Sequence, residues 1–156
     1  ATSITGLDHL EGETVSILAD GAVHPQRVVS SGTITLDVAA SVVQVGLPIT
    51  ADLQTLPMSA MLRDGSMAQG HAKNINKVWL RVYRSSGIFA GPTFDRLTEV
   101  KQRTTEVYGA PPALRSEEVS VNIGPAWGDG AQVCVRQSDP LPLTVVSLTA
   151  EVAFGG

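Results

Sequence analysis

A single cysteine, Cys134, stands in a chain of 156 residues, so no internal disulfide can staple the fold. Its place between Val133 and Val135 gives the thiol the setting of a small apolar side chain on a strand. No basic neighbour in sequence would hold a thiolate there. Aromatic residues make up only 4% of the chain, a poor supply for a carbohydrate surface built on stacking. Lysine and arginine total 11 against 15 aspartates and glutamates, for a net charge of -4, and this leaves no basic footprint for tight nucleic-acid binding. The apolar runs break off short of the roughly 18 residues that a membrane span requires, and no charged-then-apolar leader opens the chain. Helical periodicity is missing as well.

What remains is a chain long enough for one domain, burying roughly 70% of its unfolded surface without staples. It opens on Ala1 rather than Met, which reads as a processed chain or a piece of a longer one. Residues 1–156 are expected to form a single β domain, with 47–76 as the best seam.

The dominant pattern has a period of two. Residues 14–20 lead into Asp20-Gly21, a hairpin signal, and the partner run 22–29 carries Pro25, which demotes it to an edge or places a bulge there. Ile34, Leu36 and Val38 alternate onto one face, and 41–46 repeats the pattern with Val43 and Val45. The clearest strand is 77–84, with Val78, Leu80 and Val82 facing a core while Trp79, Arg81 and Tyr83 face outward to a neighbouring strand or subunit. Ser85-Ser86-Gly87 turns the chain. In 97–107, Glu99, Lys101, Arg103 and Glu106 surround Val100, as expected of an exposed strand whose charges discourage edge pairing. A last hairpin is expected to pair 118–123 with 131–137 across a turn holding Trp127, before a long closing strand over 143–154. Val133, Val135 and Val146 join the expected core. The fold class is therefore all-β: an antiparallel β-sandwich, or two small packed sheets with a long irregular connection.

That connection is 47–76, punctuated by Pro48, Pro57, Gly65 and Gly70 and holding all three methionines, Met58, Met61 and Met67. A short helix over 58–63 is possible there, with Pro57 near its first turn and Asp64-Gly65 ending it. A structureless stretch of this length is usually functional or ordered by a partner. Its apolar residues Leu53, Leu56, Met58, Met61, Leu62 and Met67 lack the period to close a core of their own. They are the candidate subunit interface.

The residues that carry chemistry do not gather. His9, His24 and His71 lie in separate segments without the paired spacing of a zinc site. Asp8, Glu11 and Glu13 lack the spacing of a calcium loop and read as a solvated leading turn. Asp52, Asp95, Glu117 and Glu118 supply carboxylates, but nothing in sequence sets their separation. No nucleophile elbow and no phosphate loop occurs. No catalytic, cofactor or metal set is expected, and the chain reads as a non-enzyme.

Ordered blocks across nearly the whole chain carry a resemblance. They are Gly6-Leu7-Asp8-His9-Leu10-Glu11-Gly12, Val15-Ser16-Ile17-Leu18-Ala19-Asp20-Gly21, Val45-Gly46-Leu47-Pro48, and Leu53-Gln54-Thr55-Leu56-Pro57. Val78-Trp79-Leu80-Arg81-Val82-Tyr83-Arg84-Ser85-Ser86-Gly87 continues the series, as does Arg136 with Asp139-Pro140-Leu141-Pro142-Leu143. Together they resemble the C-terminal region of phage tail and neck structural proteins, such as the tail hub or nozzle of short-tailed bacteriophages. Such proteins are considerably longer than this chain, so the resemblance implies that it is their C-terminal part. The resemblance implies a virion protein, without enzymatic activity, forming a ring of identical subunits among other tail or neck proteins, with DNA passing non-specifically through the lumen at genome ejection. The reading from composition alone also admits a β-sandwich adhesion or carbohydrate-binding module.

Overall fold

The computed structural model describes residues 1–101, 105–107 and 109–155. Among them it forms the strands β1 Ser3–Ile4, β2 Thr14–Ala19, β3 Ala22–Val28, β4 Ile34–Thr35, β5 Val43–Gly46, β6 Ala51–Gln54, β7 Lys73–Val82, β8 Phe89–Gly91, β9 Thr98–Glu99, β10 Glu118–Asn122, β11 Cys134–Gln137 and β12 Val145–Phe154, with one 3-10 turn at Asp8–Leu10. The protein is all-β, in several small antiparallel sheets. Two compact units divide the chain. One comprises Ala1–Thr50, Gln102–Ala113 and Ser138–Pro142; the other comprises Ala51–Lys101, Leu114–Gln137 and Leu143–Gly156.

In the first unit the strand order is β3-β2-β5, with β1 and β4 as a separate ribbon. Asp20 and Gly21, with φ of 47° and 82°, make the two-residue turn that returns β2 into β3, because positive φ at both central positions matches strand twist. Pro25 lies on the edge strand β3, and the register with β2 shifts between the pairs Val15–Arg27 and Ile17–His24, where β3 carries the extra residue beside Pro25. A second turn at Ser31 and Gly32 also takes positive φ, and Ser30 and Thr33 exchange backbone hydrogen bonds across it. The core gathers Leu7, Val15, Ile17, Val29, Ile34, Leu36 and Ala40. Val38 does not join Ile34 and Leu36; it is 73% exposed. The strand has already ended at Thr35, and the Asp37 N–H donates to His24 Nε2, bending the chain before Val38.

In the second unit a three-stranded sheet β10-β7-β12 and a four-stranded sheet β6-β11-β8-β9 share one core. That core holds Ile75, Val78, Leu80, Val82, Ile88, Ala90, Val100, Val121, Ile123, Val133 and Val135. The expected hairpin between 118–123 and 131–137 does not form. β10 pairs with β7, setting Val121 opposite Val78, and β11 pairs with β6 and β8 instead. The intervening segment is too long for a tight turn, and Gly128 bonds with Lys73 at the start of β7 in both directions, carrying the chain from one sheet to the other. Val146 is likewise misread: it is the extra residue of a bulge between Val145 and Ser147, so it points outward, 62% exposed, while Leu148 meets Leu80. Among the described residues of the exposed strand expected over 97–107, Thr98–Glu99 is strand, and Val100 is buried, its N–H bonded to the Ile88 carbonyl. Arg103 and Tyr108 lie outside the described residues.

Candidate interaction surface

The expected irregular connection contains a strand. β6 hydrogen-bonds to β11 in the register Leu53 to Val135 and Asp52 to Arg136, and all four β6 residues are exposed. Pairing continues one residue further, since Thr55 N–H donates to the Val133 carbonyl and Val133 N–H donates to Thr55 Oγ1. Directly opposed residues of antiparallel strands point to the same face, so Leu53 shares the core face with Val135. Yet Val135 is 2% exposed and Leu53 45%. The core ends one strand short of the sheet edge.

Beyond β6, Met58 N–H bonds to the Gly130 carbonyl, and its side chain packs partly on the core. No helix forms over 58–63. Leu62 N–H donates to the Ser66 carbonyl, Gly65 N–H to the Leu62 carbonyl, and Ala68 N–H to the Ala60 carbonyl, which makes a small hairpin with Met61 opposite Met67. Its turn is fixed by Gly65 at φ 85° and by Asp64 Oδ1, which accepts from both the Ser66 backbone N–H at 2.9 Å and hydroxyl at 2.6 Å. These two bonds also draw the Asp64 carboxyl below its ordinary range. An Asp-Gly pair closes a turn more readily than it caps a helix. Of the candidate interface, Leu56 is 84% and Met61 72% exposed; Leu53 and Met67 are also exposed, while Met58 and Leu62 are half-buried.

Two side chains that the sequence reading did not place at the candidate interface hold this surface in place. Lys73 is 1% exposed, and its Nζ donates to the Ala68 carbonyl at 3.0 Å and the His71 carbonyl at 3.2 Å, pinning the far end of the segment. Arg136 forks onto Asp52, Nε to Oδ1 at 2.7 Å and Nη2 to Oδ2 at 2.8 Å, with its guanidinium 4.8 Å from the centre of the Phe94 ring. That fork lowers the Asp52 carboxyl and raises the Arg136 guanidinium. Cys134, opposite Gln54, is fully buried, and burial first, then the Asp52 charge, pushes its thiol up and away from reactivity.

In the first unit a cleft of about 450 Å³ is lined by Ala22, Val23, His24, Asp37, Val38 and Ala40, among others. His24 is buried at its base. Its Nδ1 lies 2.8 Å from the Pro25 carbonyl, which can only accept, so Nδ1 carries the proton and Nε2 accepts from the Asp37 N–H at 2.9 Å. Both ring nitrogens are thereby occupied, which leaves no lone pair to act as a base on a substrate. The early carboxylates are structural: Glu11 accepts from Ser31 N–H at 2.9 Å and Gly32 N–H at 2.7 Å, and Asp20 accepts from Ser41 and Val42. Among the described residues, no three or more His, Cys, Asp and Glu side chains gather where they could hold a metal ion, and no helix is long and apolar enough to cross a membrane. No protein-family model and no curated protein matches the chain.

Proposed function

We propose that this chain is a non-catalytic assembly subunit that joins copies of itself through the surface around β6 and the 60–68 hairpin. Its place, on the resemblance of its sequence blocks, is a virion tail: the hub or nozzle ring of a short-tailed phage, set among other tail or neck proteins, through whose lumen DNA passes at ejection. The observation that carries the assembly reading is the unfinished core at β6, where Leu53 shares the core face with Val135 yet stays 45% exposed. Exposed apolar surface of this kind marks an interaction site. The acidic balance supports the lumen, since DNA passing an acidic wall is not held by it. Electron microscopy of the purified chain at micromolar concentration tests the reading, which expects closed rings of one size; monodisperse single copies would reject it.

One observation favours an adhesion or carbohydrate-binding module instead. On the outward face of the sheet β10-β7-β12, half-buried Trp79 stands between Ser120 and Thr149, with Lys77 Nζ 5.1 Å from its ring centre. Titration of tryptophan fluorescence with soluble polysaccharides separates the readings, because a glycan module shifts the Trp79 emission on binding and an assembly subunit does not.

A further inference from the structure

We infer that the contact between copies is a strand-to-strand addition in which β6 of one subunit pairs with β9 of the next, a partner surface that deepens the assembly reading and rests on it. β6 and β9 are the two edges of the same four-stranded sheet. Because β6, β11, β8 and β9 alternate in direction, β6 and β9 run antiparallel to each other. A neighbouring copy related by rotation therefore presents β9 antiparallel to β6, and the sheet continues with its pairing mode unchanged. Such a head-to-tail contact closes into a ring when the rotation divides a full turn. β6 carries no proline or lysine and β9 none within Thr98–Glu99; the lysine that follows, Lys101, discourages pairing with an uncharged edge and suits one that presents a carboxylate.

The side chains choose one register. The core face of the sheet carries Leu53 at the β6 edge, opposite Val135, and Thr98 at the β9 edge, opposite Ala90; Val100 continues that face beyond β9. The outward face carries Asp52 and Gln54 at one edge and Glu99 and Lys101 at the other. Opposed residues must share a face, so Leu53 can meet Val100 or Thr98. Meeting Thr98 would set Asp52 against Glu99, two like charges. Meeting Val100 sets Asp52 against Lys101, Gln54 against Glu99 and Thr55 against Thr98, so the outward charges of the two edges complement each other. Among the described residues neither Glu99 nor Lys101 has an ion-pair partner within its own chain. Asp52, held by Arg136 on one side, keeps lone pairs for a second cation.

The test is disulfide trapping in the full chain with Gln54→Cys and Glu99→Cys, in a Cys134→Ala background because Cys134 sits opposite Gln54. Within one copy the two positions are separated by three strand spacings, roughly 14 Å, which is beyond the reach of a disulfide. Every bond formed must link two copies. Oxidation is expected to give a ladder ending at one closed species. A companion charge exchange reads the register: Gln54→Glu alone should raise the concentration at half-assembly about two- to fivefold, and adding Glu99→Lys should restore it. An oligomeric wild type that does not cross-link, stops at dimers, or shows no rescue overturns the β6 to β9 contact while leaving the assembly reading intact. A wild type that stays monomeric overturns both.

Discussion

Asp52 and Arg136 stand directly opposite each other on β6 and β11 and close a two-bond fork of 2.7 and 2.8 Å on the outward face of the sheet. The fork fixes the edge strand whose inner face Leu53 leaves uncovered. It belongs to a set of carboxylates that share one sign. Asp52 is lowered chiefly by Arg136, Glu11 by the Gly32 and Ser31 amides, Asp20 by those of Val42 and Ser41, and Asp64 by Ser66.

Groups lowered in the folded state contribute stability that is complete above their unfolded pKa, about 4, and is lost as pH falls through the folded values. The thermal midpoint is therefore expected to hold level from neutrality down to about pH 5 and to fall below about pH 4. Asp52→Asn should make that fall shallower. A midpoint that rises on acidification would refute the assignment.

Leu80 and Val146 make a matched pair for the core. Leu80 is fully buried in β7, and Leu80→Ala is expected to cost about 2 to 5 kcal/mol. Val146→Ala, at the outward bulge, should stay within about 0.5 kcal/mol. Denaturant unfolding of both variants checks the contrast, and equal effects would mean that the bulge is misplaced.

Gly32 has φ 62°, and a Cβ added there would lie 2.5 Å from Asp8 Oδ1. Gly32→Ala should destabilise the first unit by more than about 1 kcal/mol, since alanine is strained at that φ whatever the space. Gly6→Ala offers the control: φ is 84° with nothing within 4 Å, so it carries the backbone strain without the collision. The difference between the two midpoints reads the Asp8 contact.

Removing the Lys73 ammonium leaves the Ala68 and His71 carbonyls without their donor in a buried setting. Lys73→Met is expected to cost about 1 to 3 kcal/mol and to speed amide exchange at Ala68 and His71 before it affects β12. Unchanged exchange there would show that the segment is held by other contacts.

Much of the fold was legible because local signals decide it. Asp20-Gly21 sets a hairpin through its own backbone preference, Pro25 finds an edge because it lacks an N–H, and the alternation at Val78, Leu80 and Val82 reports a buried face wherever its partners come from. Pairing between distant strands leaves no such mark. Val121 and Val133 both lie in the expected last hairpin, and only tertiary structure sends one to each sheet. A bulge moves Val146 outward without changing the residues around it, so period counting places it wrongly. The 60–68 hairpin and the Lys73 pin were hidden for a related reason: a turn closed by Asp64, Gly65 and Ser66 and a buried lysine resting on carbonyls have no apolar period. The candidate interface was visible as composition, but β6 as an edge strand with an open core face was not.

The most direct measurement is hydrogen exchange of the full chain at increasing protein concentration, followed at 51–55 and 60–68. Assembly through this surface predicts amides that exchange fast at nanomolar concentration and become protected together as copies associate, with 14–19 unchanged. Exchange at 51–55 and 60–68 that is identical and slow from nanomolar to high micromolar concentration, in a chain that sediments as a monomer, would contradict the account.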